Sequence, residues 1–453
     1  MKKISKLLGL AAVVLSGAML SCSSSEEESI DLGEAKQVVN MISEAQPIQL
    51  TEAQRVFAND NNSFTLNFLK TVNDVDKNGK SFIYSPLSIT YVLGMVNDAA
   101  VGETEKELEQ TLGFHEGGIK AVNEYCKKLI DGLPKVDDKV TLNIANAIFV
   151  NKDYTLKQQF QQDTQTYYDA TAESLDFSSP QTLDHINGWC NKKTNGMIPT
   201  ILDEVKPEMV SYLLNAIYFK ADWASKFDQK NTKEETFTTE SSKTKLPLMH
   251  QNVLINYLKN DTYSAVEMPY GNGYWNMTIM LPVEDKTTDD IIERLKNCGL
   301  EGHSSINYDD KVADGYHEKD YSTWSYRPYE VDLKLPRFET ASDTDELDIK
   351  DGLAGLMQKM GIKLAFDSFF AQIPNMCNVP VYIDMMRQKA KIKVNEEGSE
   401  AAAVTVAGMM KLTAISDPVE YPKATFHANR PFVYVIREAS SGVILFVGKF
   451  TGQ

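Results

Sequence analysis

The stretch from Glu396 to Met409, EEGSEAAAVTVAGM, constrains the fold of this chain more than any other segment. An alanine-rich helix is one interpretation, but Gly398 and Gly408 would each weaken a helix by about 1 kcal/mol, and the β-branched residues 404–406 favour a strand. In a strand, alternate side chains share a face. One face here is uncharged and, apart from its last member, small: Ser399, Ala401, Ala403, Thr405, Ala407 and Met409. We predict a strand that can enter the interior of a sheet, because no charge would be buried unpaired.

This stretch resembles the reactive-loop hinge of inhibitory serpins, with hinge residues Glu397, Gly398, Ser399, Glu400, Ala401, Ala402 and Ala403. The resemblance extends from about Thr51 to Phe450. It is carried, in serpin order, by SFIYSPLSI, GETEKELEQTLGF, LNIANAIFV, INGWCNKKTNGMI, NAIYFKADW and the terminal RPFVYVIRE and GVILFVGKF. It implies the serpin fold: an α+β protein with three β-sheets, eight to nine helices and an exposed reactive-centre loop.

The resemblance also implies a function. A serpin offers its loop as bait, a serine protease cleaves the loop and forms an acyl-enzyme, and the loop inserts into the main sheet before the ester is hydrolysed. The native state is kinetically trapped and supplies the energy. We therefore expect a suicide inhibitor of serine proteases, with cysteine proteases as further targets, and not an enzyme.

By family spacing from Glu396, the bait bond joins Leu412 and Thr413. Leu412 suits chymotrypsin-like, cathepsin G-like or elastase-like proteases, whereas cleavage at Lys411 suits trypsin-like enzymes. Met410 is a third alternative. The segment that follows is longer than in many serpins, so the register stays open among these three.

Other positions match serpin residues around the main sheet. Glu396 matches an acid that pairs with a base at the top of the sheet, Arg337 matches that base, and Trp223 matches an aromatic residue packed nearby. These three form the predicted breach. The predicted shutter, a polar cluster beneath the sheet, consists of Ser85, Ser88, Asn215 and Gln388. Gln388 stands where the family usually has histidine, so pH control of sheet opening through that histidine should be absent. Ordinary core packing is the alternative role for all of these residues.

The N-terminus predicts export. A basic start is followed by the apolar run Leu7 to Leu20, which is shorter than the ~20 residues of a comfortable membrane span and is typical of a signal peptide. The run ends at MLSC, which resembles a bacterial lipoprotein box whose lipidated residue is Cys22; the alternative is cleavage elsewhere. The polar SSSEEE that follows resembles surface-export signals of the Bacteroides group. We expect an outer-membrane, surface-exposed lipoprotein that contacts the membrane through its anchor only.

The predicted organisation is a signal peptide over residues 1–21, a tether over 22–50 and one domain over 51–453. Helical and strand patterns alternate irregularly, which favours an α+β class over a regular βαβ repeat. A helix is predicted from Thr51 to Val72, a second from Ser85-Pro86, and a third opened by a capping box of Thr104 and Glu107. The polar, tyrosine-rich segment Gly302 to Pro328 is predicted to be a surface insertion.

Motifs for catalysis and metal binding are absent from the sequence. It contains no HExxH helix, no GxSxG elbow and no Walker loop, so we predict no catalytic residues, no metal and no cofactor. The net charge of −17 argues against nucleic acid or heparin-type polyanions as partners, and we expect a monomer. Four cysteines outside the signal region, Cys126, Cys190, Cys298 and Cys377, show no CxxC pairing and are expected to be free, although export would permit one disulfide.

Two other functions compete with inhibition. A serpin-fold carrier or chaperone typically has charged or bulky residues, or proline, in the hinge; here Gly398, Ser399 and Ala401–Ala403 permit insertion. An adhesion lipoprotein would use the tyrosine-rich insertion.

Overall fold

A computed structural model describes residues 46–76, 78–115, 117–300, 326–399 and 421–452, all within one unit of the chain, Glu44–Gln453. These segments contain eight α-helices: α1 (Glu52–Val75), α2 (Pro86–Ala99), α3 (Gly102–Leu112), α4 (Gly118–Gly132), α5 (Gln158–Tyr168), α6 (Gln181–Lys193), α7 (Thr288–Cys298) and α8 (Gly352–Met360).

The same segments contain fifteen strands: β1 (Phe82–Tyr84), β2 (Thr141–Asn151), β3 (Thr171–Leu175), β4 (Ser211–Asp222), β5 (Lys233–Thr238), β6 (Lys243–Lys259), β7 (Tyr263–Tyr270), β8 (Trp275–Pro282), β9 (Arg327–Pro336), β10 (Phe338–Asp343), β11 (Met385–Val394), β12 (Gly398–Ser399), β13 (Lys423–His427), β14 (Phe432–Glu438) and β15 (Ile444–Phe450). The predicted α+β class is confirmed.

Two hydrogen-bonded sheets are formed by the described strands. One has nine strands in the order β1-β15-β14-β8-β7-β6-β9-β13, with β5 paired to β6. The long strand β6 connects two halves of this sheet, because it pairs with β7 over Asn256–Lys259 and with β9 over Leu248–Tyr257. The three predicted sheets are therefore two continuous arrays by hydrogen bonding. The second sheet, of order β10-β11-β12-β4-β2-β3, carries the site described below.

The helix predicted near Thr51 forms as α1. The Thr51 hydroxyl accepts from the Gln54 backbone N–H at 3.3 Å, and the Gln54 side chain accepts from the Thr51 N–H at 3.1 Å. This reciprocal cap satisfies two N–H groups that a helix start leaves unpaired. One face of this helix is apolar and buried, with the rings of Phe64 and Phe68 in contact. Pro86 opens α2, as predicted, and this helix is almost wholly buried between α1 and the second sheet.

The capping box predicted at Thr104 and Glu107 is wrong. Helix α3 begins at Gly102, and no side chain caps it. The Thr104 hydroxyl instead accepts from the Gln372 N–H, and the Glu107 carboxylate accepts from two backbone N–H groups, at residues 363 and 364. Both side chains make contacts with residues distant in sequence, which local spacing cannot reveal.

Two predicted boundaries shift. Ile48 and Leu50, assigned to the tether, are buried in the main core, and the Ile48 N–H donates to the Ser440 hydroxyl, so packing extends before Thr51. At the other boundary, Arg327 and Pro328 belong to β9, where they pair with β6. Residues 302–325 of the predicted insertion lie outside the described residues, as does most of the predicted tether.

Cys126, Cys190, Cys298 and Cys377 are all free, and the first, second and fourth are buried. Burial raises the pKa of the Cys126 thiol to about 12. Within the described ranges, no cluster of three or more His, Cys, Asp or Glu side chains is arranged to hold a metal ion. None of the helices described is both long and apolar enough to cross a bilayer.

Candidate functional site

The site is the junction between β4 and β11, which we call the seam. The two strands are parallel and pair directly over six residues, from Tyr212 opposite Met385 to Ile217 opposite Ala390. Beyond this lower part they are separated by β12, which is antiparallel to both: Ser399 lies opposite Ala221 on one side and Val394 on the other. The chain has therefore already placed the first residues of the Glu396–Met409 stretch inside the sheet.

Glu396 anchors the turn that leads into β12. Its side chain is almost fully buried and forms a two-contact ion pair with Arg337, while the Thr232 hydroxyl donates to it at 2.7 Å. Burial alone raises the pKa of Glu396, but the hydrogen bonds from Arg337 and Thr232 outweigh it and lower the pKa below its ordinary value. A buried, paired carboxylate fixes where the hinge enters the sheet.

Trp223 holds the backbone on either side of Glu396. Its indole N–H donates to the Asn395 carbonyl at 2.9 Å, and its backbone N–H donates to the Glu397 carbonyl at 2.8 Å. The indole ring stacks on Tyr270 with centroids 4.3 Å apart. Lys226 adds an ion pair to Glu397 at 2.7 Å. The entrance of the hinge is thus held through its backbone as well as through the side chains of Glu396 and Glu397.

Gly398 and Ser399 are suited to the interior position. Gly398 has φ +155°, and a Cβ there would lie 2.1 Å from the Ala221 carbonyl oxygen, so a larger residue would collide with β4. Ser399 is fully buried, and its hydroxyl lies 2.7 Å from the Tyr270 hydroxyl. The burial of this pair is possible because each hydroxyl has a partner.

The lower part of the seam is closed by side chains. Gln388 and Asn215 lie opposite each other, and the side-chain amide of Gln388 donates to the side-chain oxygen of Asn215 at 2.7 Å. The same amide group accepts from the Ser85 N–H at 2.9 Å and donates to the Ser85 carbonyl at 3.0 Å, and the Ser88 hydroxyl donates to Asn215 at 2.8 Å. All four residues are buried. The network therefore ties β4, β11 and the start of α2 together.

The structure thus places the seven predicted breach and shutter residues in two groups along one seam. Asn215 and Ala221 are six positions apart along β4, a distance of about 20 Å. Glu397, Gly398 and Ser399 of the predicted hinge lie in the described part of the chain. The predicted hinge residues Glu400 and Ala401–Ala403, the bait candidates Met410, Lys411, Leu412 and Thr413, and the lipidation candidate Cys22 lie outside it.

Several residues that complete the two groups were not predicted from the sequence. Asn146 accepts from the Asn215 amide at 2.8 Å and extends the lower network to β2. Its position in the apolar strand LNIANAIFV was a usable signal, since a polar side chain buried in a strand needs a partner. Tyr270, Lys226 and Thr232 contact the hinge from segments that carry no local signature.

Comparisons with known proteins agree with this geometry. The family model described as "Serpin (serine protease inhibitor)" matches residues 59–452. Serpin B6 of Macaca fascicularis is 30% identical over 405 residues, which cover 87% of this chain and 99% of that protein. Antitrypsin of Bombyx mori is 29% identical over 410 residues, covering 88% of this chain and 95% of that protein.

Among solved structures, the native state of the thermophilic serpin tengpin superposes with a TM-score of 0.72 at 26% identity, covering 91% of this chain and 98% of tengpin. With a family match over most of its length, and a sheet that already admits the hinge between β4 and β11, this chain belongs to the serpin family, whose members are generally protease inhibitors and not catalytic enzymes.

Proposed function

We propose that this protein is a suicide inhibitor that traps serine proteases by inserting its cleaved loop along the seam. The observation that carries the proposal is the position of β12, an interior strand between β4 and β11, at the end of the seam where the loop begins. The hinge already forms β12 inside the sheet. Adding the following residues therefore costs less conformational entropy, because each new residue extends an existing ladder.

The register of β12 supports this proposal. If the pairing of Ser399 with Ala221 and Val394 continues, Thr405 comes to lie opposite both Asn215 and Gln388. Met409 then reaches Ser211, the first residue of β4. The inward face of the inserted strand would be uncharged and, apart from Met409, small: Ser399, Ala401, Ala403, Thr405, Ala407 and Met409. Insertion would therefore exchange the direct β4–β11 ladder and the Gln388–Asn215 hydrogen bond for main-chain ladders on both sides of the new strand.

The energy available is large enough for this mechanism. Each main-chain hydrogen bond contributes about 1 kcal/mol net, so a strand of a dozen residues supplies on the order of 10 kcal/mol. Protein domains are stable by ~5–15 kcal/mol, so this is enough to distort a protease active site.

The bait bond we propose is Leu412–Thr413, with Lys411 and Met410 as alternative cleavage positions. Under the register above, these residues lie just beyond Met409 and so beyond the lower end of β4, so complete insertion would carry an attached protease along the whole seam. Cleavage at Leu412 would select chymotrypsin-like or elastase-like proteases, and cleavage at Lys411 trypsin-like ones. Mass spectrometry of the fragment released by a protease panel identifies the bond.

The test of insertion is thermal. Cleaved protein should unfold at a markedly higher temperature than intact protein, and a covalent complex with chymotrypsin or trypsin should survive SDS. Intact and cleaved forms of equal stability, with only substrate turnover across the panel, would show instead a non-inhibitory serpin-fold carrier.

The variant Ser399→Arg sharpens this test, because it places a charge in a fully buried position. It should be cleaved as a substrate without forming complex. Ser399→Ala is the matched control and should remain an inhibitor. Inhibition retained by Ser399→Arg contradicts the mechanism.

We also propose that residues 1–21 direct export, that Cys22 is lipidated, and that the acidic segment after it tethers the inhibitor at the outer-membrane surface. The basic and apolar N-terminus with the MLSC box supports this. Fatty-acid labelling of the protein in a bacterial host should be lost in Cys22→Ser; equal labelling of both rules the anchor out.

A further inference from the structure

The outer face of the seam is covered by α6 and by residues 194–210, which we call the strap. A separate hydrophobic cluster forms here between Ile186 and Cys190 of α6, Ile201 and Leu202 of the strap, and Leu214 of β4. Asn187 of α6 holds the strap in place, since its side-chain oxygen accepts from the N–H groups of Ile201 and Leu202 at 2.8 and 3.0 Å. The strap therefore lies over the strands that must separate if the loop inserts.

The strap contacts both sides of the seam. On the β4 side, the Lys206 N–H donates to the Tyr212 hydroxyl at 2.8 Å. On the β11 side, the carboxylate of Asp203 forms an ion pair with Arg387 at 3.3 Å. At the lowest point of the seam, the Val210 N–H donates to Asp384, which directly precedes β11.

Arg387 belongs firmly to the β11 side. Its side chain is 7% exposed, and its guanidinium forms two contacts with Asp343 at the end of β10 and a third with Asp345 at 3.2 Å. Strand β10 pairs with β11 through Asp343 and Lys389, whose ammonium group also lies 3.4 Å from the Asp343 carboxylate. Losing Asp203 would thus leave Arg387 still paired. The contact with Asp203, whose side chain is 78% exposed, can break without stranding a buried charge.

A strand added between β4 and β11 moves them apart by about 4.8 Å. The strap cannot then keep both its Tyr212 contact and its Arg387 contact. We infer that Asp203 and Arg387 form a latch that slows opening of the seam, with Arg387 as a positioning residue that joins the strap to β11. This inference rests on the proposed function, because a seam that never opens has nothing to delay.

The experiment measures, by a native-gel shift, the rate at which a synthetic peptide of residues 400–410 enters the seam below β12 in the intact, full-length protein. Asp203→Ala should accept the peptide about two- to fivefold faster than wild type, the range expected for an exposed ion pair. Glu204→Ala is the matched control: Glu204 is 71% exposed, neighbours Asp203 and pairs only with Lys206 among the ion pairs of the described residues. Its rate should equal that of wild type.

Two further measurements distinguish loss of the Asp203–Arg387 ion pair from a general destabilisation of the strap. Asp203→Glu should restore the slow rate, and added salt should accelerate wild type but not Asp203→Ala, because salt screens an exposed pair. Equal rates in Asp203→Ala and Glu204→Ala, with the peptide entering both, would overturn the latch and leave the inhibitor proposal standing. A peptide that enters none of the proteins, with cleaved protein no more heat-resistant than intact protein, would overturn the proposed function and the latch with it.

Discussion

The upper and lower parts of the seam differ in what holds β4 and β11. Above, the chain itself lies between the strands, and the contacts are main-chain ladders and the anchor of Glu396 on Arg337. Below, the strands pair directly, and neutral side chains of Ser88, Asn215 and Gln388 lock them from the interior face. Opening from the top extends a ladder residue by residue, whereas passing the lower network first requires buried hydrogen bonds to be exchanged. We infer that the upper part directs insertion and the lower part sets its barrier.

The largest expected effect comes from displacing β12 from the upper part of the seam. In Gly398→Ala, the new Cβ would collide with the Ala221 carbonyl and with the Cα of Asp222, and the backbone has φ +155°. Such overpacking costs about 1–3 kcal/mol. We expect β12 to leave the sheet, hydrogen exchange at residues 396–399 to accelerate, and the number of inhibitor molecules consumed per protease to rise about tenfold or more.

The control for this variant is Gly188→Ala. Gly188 lies within α6, and a Cβ added there would meet no heavy atom within 4 Å, so the change should raise the unfolding temperature slightly, since alanine favours helix. Normal exchange at the hinge in Gly398→Ala would contradict the steric argument.

A smaller effect is expected from weakening the lower network. Asn215→Ala removes the acceptor that Gln388 and Ser88 share, so that these two side chains keep only their hydrogen bonds to Ser85 and to each other. The free energy of unfolding of the intact protein should fall by about 1–3 kcal/mol. Peptide insertion should become faster, because fewer side-chain hydrogen bonds across the seam must be broken before the strands separate. Urea unfolding and the native-gel assay measure the two quantities.

Asn146→Ala provides the graded comparison. It removes only the Asn146 side-chain oxygen, which accepts from the side-chain amide of Asn215, and it leaves the contact between Gln388 and Asn215 across the seam intact. Its effect on insertion should be smaller than that of Asn215→Ala. Equal acceleration by both variants would mean that the contact across the seam is not the barrier.

The smallest effect is expected from pH, and it should differ between the two parts. The pKa of Glu396 lies below its ordinary value of 4.5 in the folded protein, so its pairing stabilises the hinge above about pH 4.5 and is lost as the pH falls through the folded pKa. Because Arg337 is half-exposed, the effect should stay under about 1 kcal/mol. Fluorescence of Trp223, which contacts the hinge directly, should change between pH 5 and pH 3 but not in Glu396→Gln.

The lower part of the seam should not respond to changes of pH around neutrality, because Gln388 does not titrate. Insertion rates should be constant from pH 6 to pH 8. Gln388→His would introduce a buried imidazole, whose pKa burial lowers, and stability of that variant should fall as the pH drops through the histidine range. A pH-dependent insertion rate in wild type would mean that a titratable group other than residue 388 controls opening of the seam.

Much of the fold followed from local patterns. The cap and apolar face of α1, the Pro86 start of α2 and the terminal β14–β15 hairpin were all predictable, because each depends on residues close in sequence. The capping box at Thr104 and Glu107 shows the limit. Its spacing was right, yet both side chains bond to the segments 363–364 and 372, and nothing nearby in sequence announces those partners.

By itself, the sequence predicts that residues 399–409 can form an interior strand, since side-chain size, charge and period-two alternation are local properties. The resemblance named predicted residues of the two groups and the part of the sheet to which each belongs, but not the further residues, such as Asn146 and Tyr270, that complete them. Only the tertiary structure decided that the hinge is already inserted as far as Ser399, that Ser399 lies opposite both Ala221 and Val394, and that Asp203 reaches Arg387 across the seam. Strand register and contacts between distant segments arise from packing the whole sheet against α2 and α6, and no short stretch of sequence contains that information.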